Sequence, residues 1–278
     1  MLHVGWAKNR GDEFMWGIIG TTLIFLAYYS SLFVLQEFNI ISASLAFSYG
    51  VYATLVAIVV SLMAYGLRNK IDTSRARFRK LTHIASGLAV LMLVYMLGQK
   101  EAAAFLLAIG AAFITHELFY SRGIKTLFTW PLLFIGRASR TGEDRAVFLP
   151  TIWSILSLGT VILLFPLIVA EISIAAFTFG DGLAYLIGKK WGLHKLPHNP
   201  EKSWEGSIAF VIGGLIGIWY FAPFIVAIFV SLITASVESL AKIDDNLTVP
   251  FAAAITGYLL LLIQPNITGI SLHELFAG

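Results

Sequence analysis

The chain has no cysteine among its 278 residues. Disulfides, thiolate metal sites and cysteine nucleophiles are excluded, although the compartment is not decided by this. Charge is scarce as well: only 13% of residues are Asp, Glu, Lys or Arg, against about a quarter in soluble domains. Several motifs are missing. There is no H-E-x-x-H and no G-x-S-x-G, so zinc-protease and serine-hydrolase chemistry lacks support. Gly182 to Gly188 encloses five residues rather than four, and Lys190 follows Lys189 where a P-loop needs Ser or Thr. No internal repeat is evident, which removes support for an inverted-repeat transporter. No cleaved leader is expected, because the first apolar run, Phe14–Leu35, is too long for a signal h-region and lacks a small-residue cleavage site.

What is present is apolar: 58% of the residues are hydrophobic, and several runs reach the ~20 residues that cross a bilayer core. The expected fold is all-α, a polytopic integral membrane helix bundle of about nine transmembrane helices. The spans are Phe14–Leu35, Ile40–Leu67, His83–Leu97, Ala102–Phe119, Ala146–Phe165, Leu167–Gly188, Ser207–Tyr220, Pro223–Leu240 and Val249–Ile263. Pro166 divides a long apolar run in two, because proline cannot donate to the helix ladder. Of the 19 lysines and arginines, all but Lys100 fall on one side of this arrangement. The positive-inside rule makes that side cytoplasmic, with the N-terminus inside and the C-terminus outside. A single membrane-embedded domain over residues 1–278 is expected, in the cell membrane of a prokaryote or an organelle membrane of a eukaryote. The basic run "TSRARFRK" before the third helix reads as a topology signal touching anionic headgroups.

Ionisable residues inside spans are costly and mark function. Here they share an address near the cytoplasmic ends of helices: His83 on the third, His116 and Glu117 on the fourth, Asp181 on the sixth, Glu238 on the eighth. Asp244, Asp245 and Asn246 follow in the next loop. Only Glu171 sits toward the other side. A hydrophilic site open to the cytoplasm fits this better than a pathway through the membrane. Asp181 stands out, since an unpartnered acid in an apolar helix tends to be neutral and a metal ion would keep it ionised. Gly180, Ala184, Gly188 and Gly192 form a small-residue stripe that lets a helix or a ligand approach the backbone. Gly192 also suits the turn into the next loop.

That loop carries Lys189, Lys190, Lys195 and Lys202 beside the acid. Phosphoryl groups need both parts, a hard cation such as Mg2+ on their oxygens and basic donors for the remaining charge. "NPEKSWEGS" predicts a turn fixed by Pro200 and a helix start served by Ser203 and Glu205, whose amides suit an anion.

Three stretches together resemble the CTP-dependent polyprenol kinases, which include phytol, farnesol and dolichol kinases. The first is D-x-x-A-x-x-x-G-x-x-x-G followed by lysines and K-S-x-E-G: Asp181, Ala184, Gly188, Gly192, Lys195, Lys202, Ser203, Glu205 and Gly206. The second is "RKLTHIASGL", Arg79 to Leu88. The third is "SVESLAKIDDNLTVPFAA", Ser236 to Ala253, closest to the phytol kinase branch. The resemblance covers residues 79–257; the first two helices are not diagnostic. The phosphatidate cytidylyltransferases of the same superfamily share a G-D-x-x-A-Y…K-x-W-E-G segment, compatible with Tyr185 and Trp204. Their later His-Gly-Gly and Asp-Arg-x-Asp elements are absent, and Asp244-Asp245-Asn246 stands instead.

The resemblance implies transfer of the terminal phosphate of CTP to the hydroxyl of an isoprenoid alcohol at the cytoplasmic membrane face. It implies Mg2+ held by Asp181 with Asp244 or Asp245. CTP would be bound by Gly188, Gly192, Lys195, Lys202, Ser203, Glu205 and Gly206. Glu238, His83 or Glu117 would orient or deprotonate the alcohol. The expected partners are the bilayer, the alcohol and a nucleoside triphosphate. No nucleic-acid polymer is implied, and a homo-oligomer is compatible. The competing readings are a cytidylyltransferase-like enzyme making a CDP-lipid and a non-enzymatic membrane transporter.

Overall fold

The computed structural model describes residues 10–37, 42, 76–126, 129, 149–240 and 244–263. The elements are α1 (Arg10–Glu37), α2 (Ala76–Leu97), α3 (Gln99–Tyr120), α4 (Leu149–Leu164), α5 (Leu167–Ala175), a π-helical turn (Ala176–Asp181), α6 (Gly182–Trp191), β1 (Lys195–Leu196), β2 (Asn199–Ser203), α7 (Trp204–Trp219), α8 (Phe224–Leu240) and α9 (Asp245–Ile263). Eight of the nine expected spans fall on these helices; the second, Ile40–Leu67, lies outside the described residues. Among the described residues, four helices are long and apolar enough to cross a membrane: Ile19–Glu37, Gln99–Tyr120, Leu167–Trp191 and Asp245–Ile263. Four apolar helices are shorter: His83–Leu97, Leu149–Leu164, Trp204–Trp219 and Phe224–Leu240.

The chain divides into two compact units. One comprises Met1–Arg79 and Ala104–Ile152, the other Lys80–Ala103 and Trp153–Gly278. In the first, Tyr28, Leu32 and Leu35 of α1 bury against Ala104 and Ala108 of α3. Alanines on that face let two apolar helices approach closely, as small residues do within membranes. In the same unit the His116 Nε2 lies 3.3 Å from the Thr129 hydroxyl, and its ring stacks on Tyr120.

The second unit holds the family-like motifs. Pro166 does break the apolar run, with α4 ending at Leu164 and α5 starting at Leu167. The carbonyls left at the α4 terminus are taken by Gln99, whose amide donates to Ile162 O at 2.8 Å and Phe165 O at 2.6 Å. Pro250 lies inside α9 and removes the amide that would bond the Asn246 carbonyl. The Ser157 hydroxyl of α4 replaces it, donating to Asn246 O at 2.8 Å. Ser173 of α5 donates to Pro250 O at 2.7 Å.

The span expected as one helix over Leu167–Gly188 is not regular. A single π-helical turn interrupts it at Ala176–Asp181, with Asp181 as its last residue. Such turns leave carbonyls poorly paired along the helix and are frequent at functional sites. Gly87 of α2 faces Thr178 so closely that a Cβ there would overlap its hydroxyl. On the opposite flank, a Cβ at Gly180 would lie 2.7 Å from the Phe210 ring of α7.

Residues 195–203 depart from expectation. They form a β-hairpin pairing Lys195 with Ser203 and Leu196 with Asn199. The turn is therefore at Pro197–His198, and Pro200, expected to fix the turn, sits inside β2. A proline is tolerated there because the register slips between Lys195 and Leu196, so its missing N–H costs no ladder bond.

Candidate active site

Asp181, Glu238 and Asp245 arrive from the π turn, the last turn of α8 and the first turn of α9. One carboxylate oxygen from each lies within 4.8 Å of the others. Asp181 and Glu238 are buried and Asp245 is half-buried. Each of the three comes from a different helix end, and each is an oxygen donor. That donor set fits a hard divalent cation such as Mg2+.

Asp181 is held from α2. His83 Nε2 lies 3.2 Å from Asp181 Oδ2 and 3.1 Å from the Phe177 carbonyl oxygen, inside the π turn. A carbonyl only accepts, so Nε2 carries a hydrogen and donates.

Lys202 closes the site from the hairpin. Its Nζ donates to the Glu238 carbonyl oxygen at 2.7 Å, to Glu238 Oε1, and to Asp245 Oδ2 at 3.3 Å. Burial alone would lower this ammonium's pKa. The carboxylates of Glu238 and Asp245, with Asp181 beyond them, outweigh burial and hold it above the ordinary lysine value. One residue pair fixes the strand that delivers it: Asn199 Nδ2 donates to the Ser239 carbonyl at 3.1 Å. Both contacts fall on carbonyls at the α8 C-terminus, where amide and ammonium donors satisfy groups the helix leaves open.

The other residues of the K-S-x-E-G segment build the frame. Ser203 is the N-cap of α7, its hydroxyl accepting from Gly206 N at 3.2 Å. Gly188 and Gly206 meet where α6 crosses α7; a Cβ on Gly188 would lie 3.3 Å from the Gly206 Cα. Gly192 does not take a left-handed turn, its φ being −73°. Its need for glycine is contact, since a Cβ would strike Gly188 O and lie 2.5 Å from Ser203 Oγ. Glu205 accepts from His194 Nδ1 at 2.6 Å and from the His194 amide. That hydrogen bond holds its carboxyl at about 2. Lys195 is exposed on β1.

The structure thus gathers His83, Asp181, Lys202, Glu238 and Asp245. It does not bring in Asp244, whose Oδ1 accepts from the Asn246 amide at 3.0 Å and its side chain at 2.6 Å, capping α9. Glu117 belongs to the other compact unit, half-buried on α3, and its Oε2 has no hydrogen-bond partner among the described residues. Glu171, set apart by the sequence, accepts from the Tyr95 hydroxyl at 2.5 Å. Sequence reasoning placed Glu238 with the alcohol rather than with the other two acids. Its spacing of one helix turn plus a loop from Asp245 was the available signal. The Phe177 carbonyl and Asn199 had none.

The chain is 32% identical to phytol kinase 1 of Arabidopsis thaliana over 79% of its length and 76% of the relative's. It is 30% identical to the farnesol kinase of that plant, over 66% of this chain and 64% of the relative. A phytol kinase from Synechocystis is 28% identical over 81% of this chain and 96% of its own. No protein-family model matches the chain, and no solved structure matches it. With a third of the residues shared over most of both chains, this protein belongs to the polyprenol kinase family that includes the phytol and farnesol kinases.

Proposed function

We propose that the protein is a CTP-dependent, Mg2+-dependent kinase that phosphorylates the hydroxyl of an isoprenoid alcohol at the cytoplasmic face of its membrane. Kinship with phytol and farnesol kinases supports the alcohol as acceptor. The observation that carries the reading is the meeting of Asp181, Glu238 and Asp245 with Lys202, from motifs far apart in the chain.

Asp181, Glu238 and Asp245 would hold Mg2+, which when bound neutralises charge on the phosphoryl oxygens. His83 orients Asp181 by donating from Nε2. Lys202 and the exposed Lys195 would contact the triphosphate. The small faces of Gly188 and Gly206 let α6 and α7 close behind the site. The alcohol oxygen bonds to the γ-phosphorus, the bond from that phosphorus to the β–γ bridging oxygen breaks, and CDP leaves with the electron pair. Glu238 offers one carboxylate oxygen to the metal, and its second oxygen would take the alcohol's proton. Little covalent chemistry is required of the protein, so positioning and charge neutralisation carry the rate.

The test is turnover in detergent with labelled CTP and a panel of phytol, geranylgeraniol, farnesol, dolichol and phosphatidate. Label from the γ position should enter an alcohol of modest length, such as phytol or geranylgeraniol, with release of CDP. Label from the α position in the lipid, with pyrophosphate released and phosphatidate required, would overturn the kinase reading in favour of a cytidylyltransferase.

A further inference from the structure

Lys202 stands where a metal-binding trio should attract a cation. Its ammonium touches Glu238 Oε1 and lies 3.3 Å from Asp245 Oδ2, two of the three carboxylates that converge. A divalent cation seated on the trio would take the same Glu238 and Asp245 carboxylates that this ammonium now bridges. A divalent cation does better by one unit of charge and can sit nearer all three oxygens. An ammonium bridging Glu238 and Asp245 would then face a like charge at close range.

The lysine has somewhere to go. Its strand is held independently by Asn199 on the Ser239 carbonyl, so releasing the ammonium need not release the hairpin. Its four-carbon stem is flexible and its charge is a point rather than a fork. The hairpin that carries it leads straight into the Ser203 cap of α7.

We infer that Lys202 is an exchangeable counter-ion: it bridges Glu238 and Asp245 until a divalent cation takes the trio, and then turns its ammonium to the phosphates of the nucleotide. The inference rests on the proposed metal and nucleotide reading of this site, and adds an order to it. Metal and nucleotide become coupled through one side chain, because the nucleotide rewards the position that the metal imposes on Lys202. Coupling of this kind is reciprocal.

The test needs no turnover. Mn2+ is titrated into the detergent-purified protein without nucleotide or alcohol, and bound Mn2+ is read by EPR. Lys202→Met removes the competing ammonium while keeping the length of the side chain, and should bind Mn2+ about tenfold tighter than wild type. Lys190→Met removes the same charge from an exposed lysine that lies over Trp191 and should leave Mn2+ affinity unchanged. Equal or weaker Mn2+ binding by folded Lys202→Met overturns the exchange while the metal site stands. No Mn2+ binding in either protein overturns the metal reading and the exchange with it.

A second measurement uses wild-type protein alone. Acetylation of Lys202 by a water-soluble amine reagent, read by mass spectrometry, should rise when Mn2+ is added and fall again with a β,γ-methylene analogue of CTP. Labelling that ignores bound Mn2+ overturns the exchange. Labelling that rises with Mn2+ but ignores the analogue overturns the nucleotide half of the exchange, together with CTP as donor.

Discussion

His83 Nε2 lies between Asp181 Oδ2, at 3.2 Å, and the Phe177 carbonyl oxygen, at 3.1 Å. Both atoms accept, so the ring nitrogen facing them is already a donor and has no lone pair for a substrate proton. The sequence offered His83 to the alcohol, to orient or deprotonate it; this geometry instead favours orientation of Asp181 over acting as base through Nε2. Replacing His83 with alanine should lower kcat by about 10–100-fold, the usual cost of losing a partner that orients a metal-binding group. His83→Gln, which keeps an N–H donor, should recover part of it. Equal kcat for alanine and glutamine variants would remove the orienting role.

Asp181 and Asp244 offer a contrast. Asp181→Asn preserves size but removes a charge from the trio, and activity should fall by about a hundredfold or more. Asp244→Asn keeps a side-chain oxygen for the α9 cap, so activity should hold. Asp244→Ala should cost about 1 kcal/mol of stability. Thermal unfolding and initial rates on the same preparations check both halves. Near-wild-type turnover in folded Asp181→Asn would sink the metal role.

Glu205 supplies a pH dependence. Its hydrogen bond to His194 holds the folded carboxyl at about 2, below its ordinary 4.5. A depressed folded pKa stabilises where the carboxylate is ionised in both states. The contribution is therefore full above the ordinary value and is lost as pH falls through the folded one. The pair is open to water, so the effect on stability is small, and the titration is the better observable. With His194→Ala, carbon NMR of labelled glutamate should show Glu205 titrating near its ordinary value. A Glu205 titration unmoved by that change would show that His194 is not the cause.

Lys195 and Lys100 lie on opposite sides of the membrane in the nine-span arrangement. In this cysteine-free chain, Lys195→Cys should react only with reagents that reach the cytoplasm, and Lys100→Cys only with those outside. Labelling of both from one side would refute the arrangement.

Hydrophobic run length made the helices legible, because an apolar run of fixed length has few other uses. The break at Pro166 was equally readable, since the missing amide acts locally. The π turn was not. It adds one residue to a turn within an apolar span, and no residue type in "AFTFGD" demands it; the acid at its end was visible, the distortion that aims it was not. The hairpin was missed because β1 is two residues long, too short for alternation to show. Lys202 meets Glu238 across 36 residues, a distance over which local sequence carries no pairing information. Asp244 and Asp245 are adjacent and alike in sequence. Only the helix start separates them, turning one into a cap and the other toward the trio.

Ser157 and Pro250 sit on different helices, and neither touches the acids by any contact described above. Yet the serine hydroxyl occupies the acceptor that the proline leaves open on Asn246, next to Asp245. The two positions are therefore joined through one carbonyl. Alanine at position 157 would strand that carbonyl, whereas a residue with an amide at position 250 would give it the ordinary helix partner. The serine is therefore needed for as long as position 250 is proline. That single hydroxyl thus secures the start of the helix on which Asp245 is mounted.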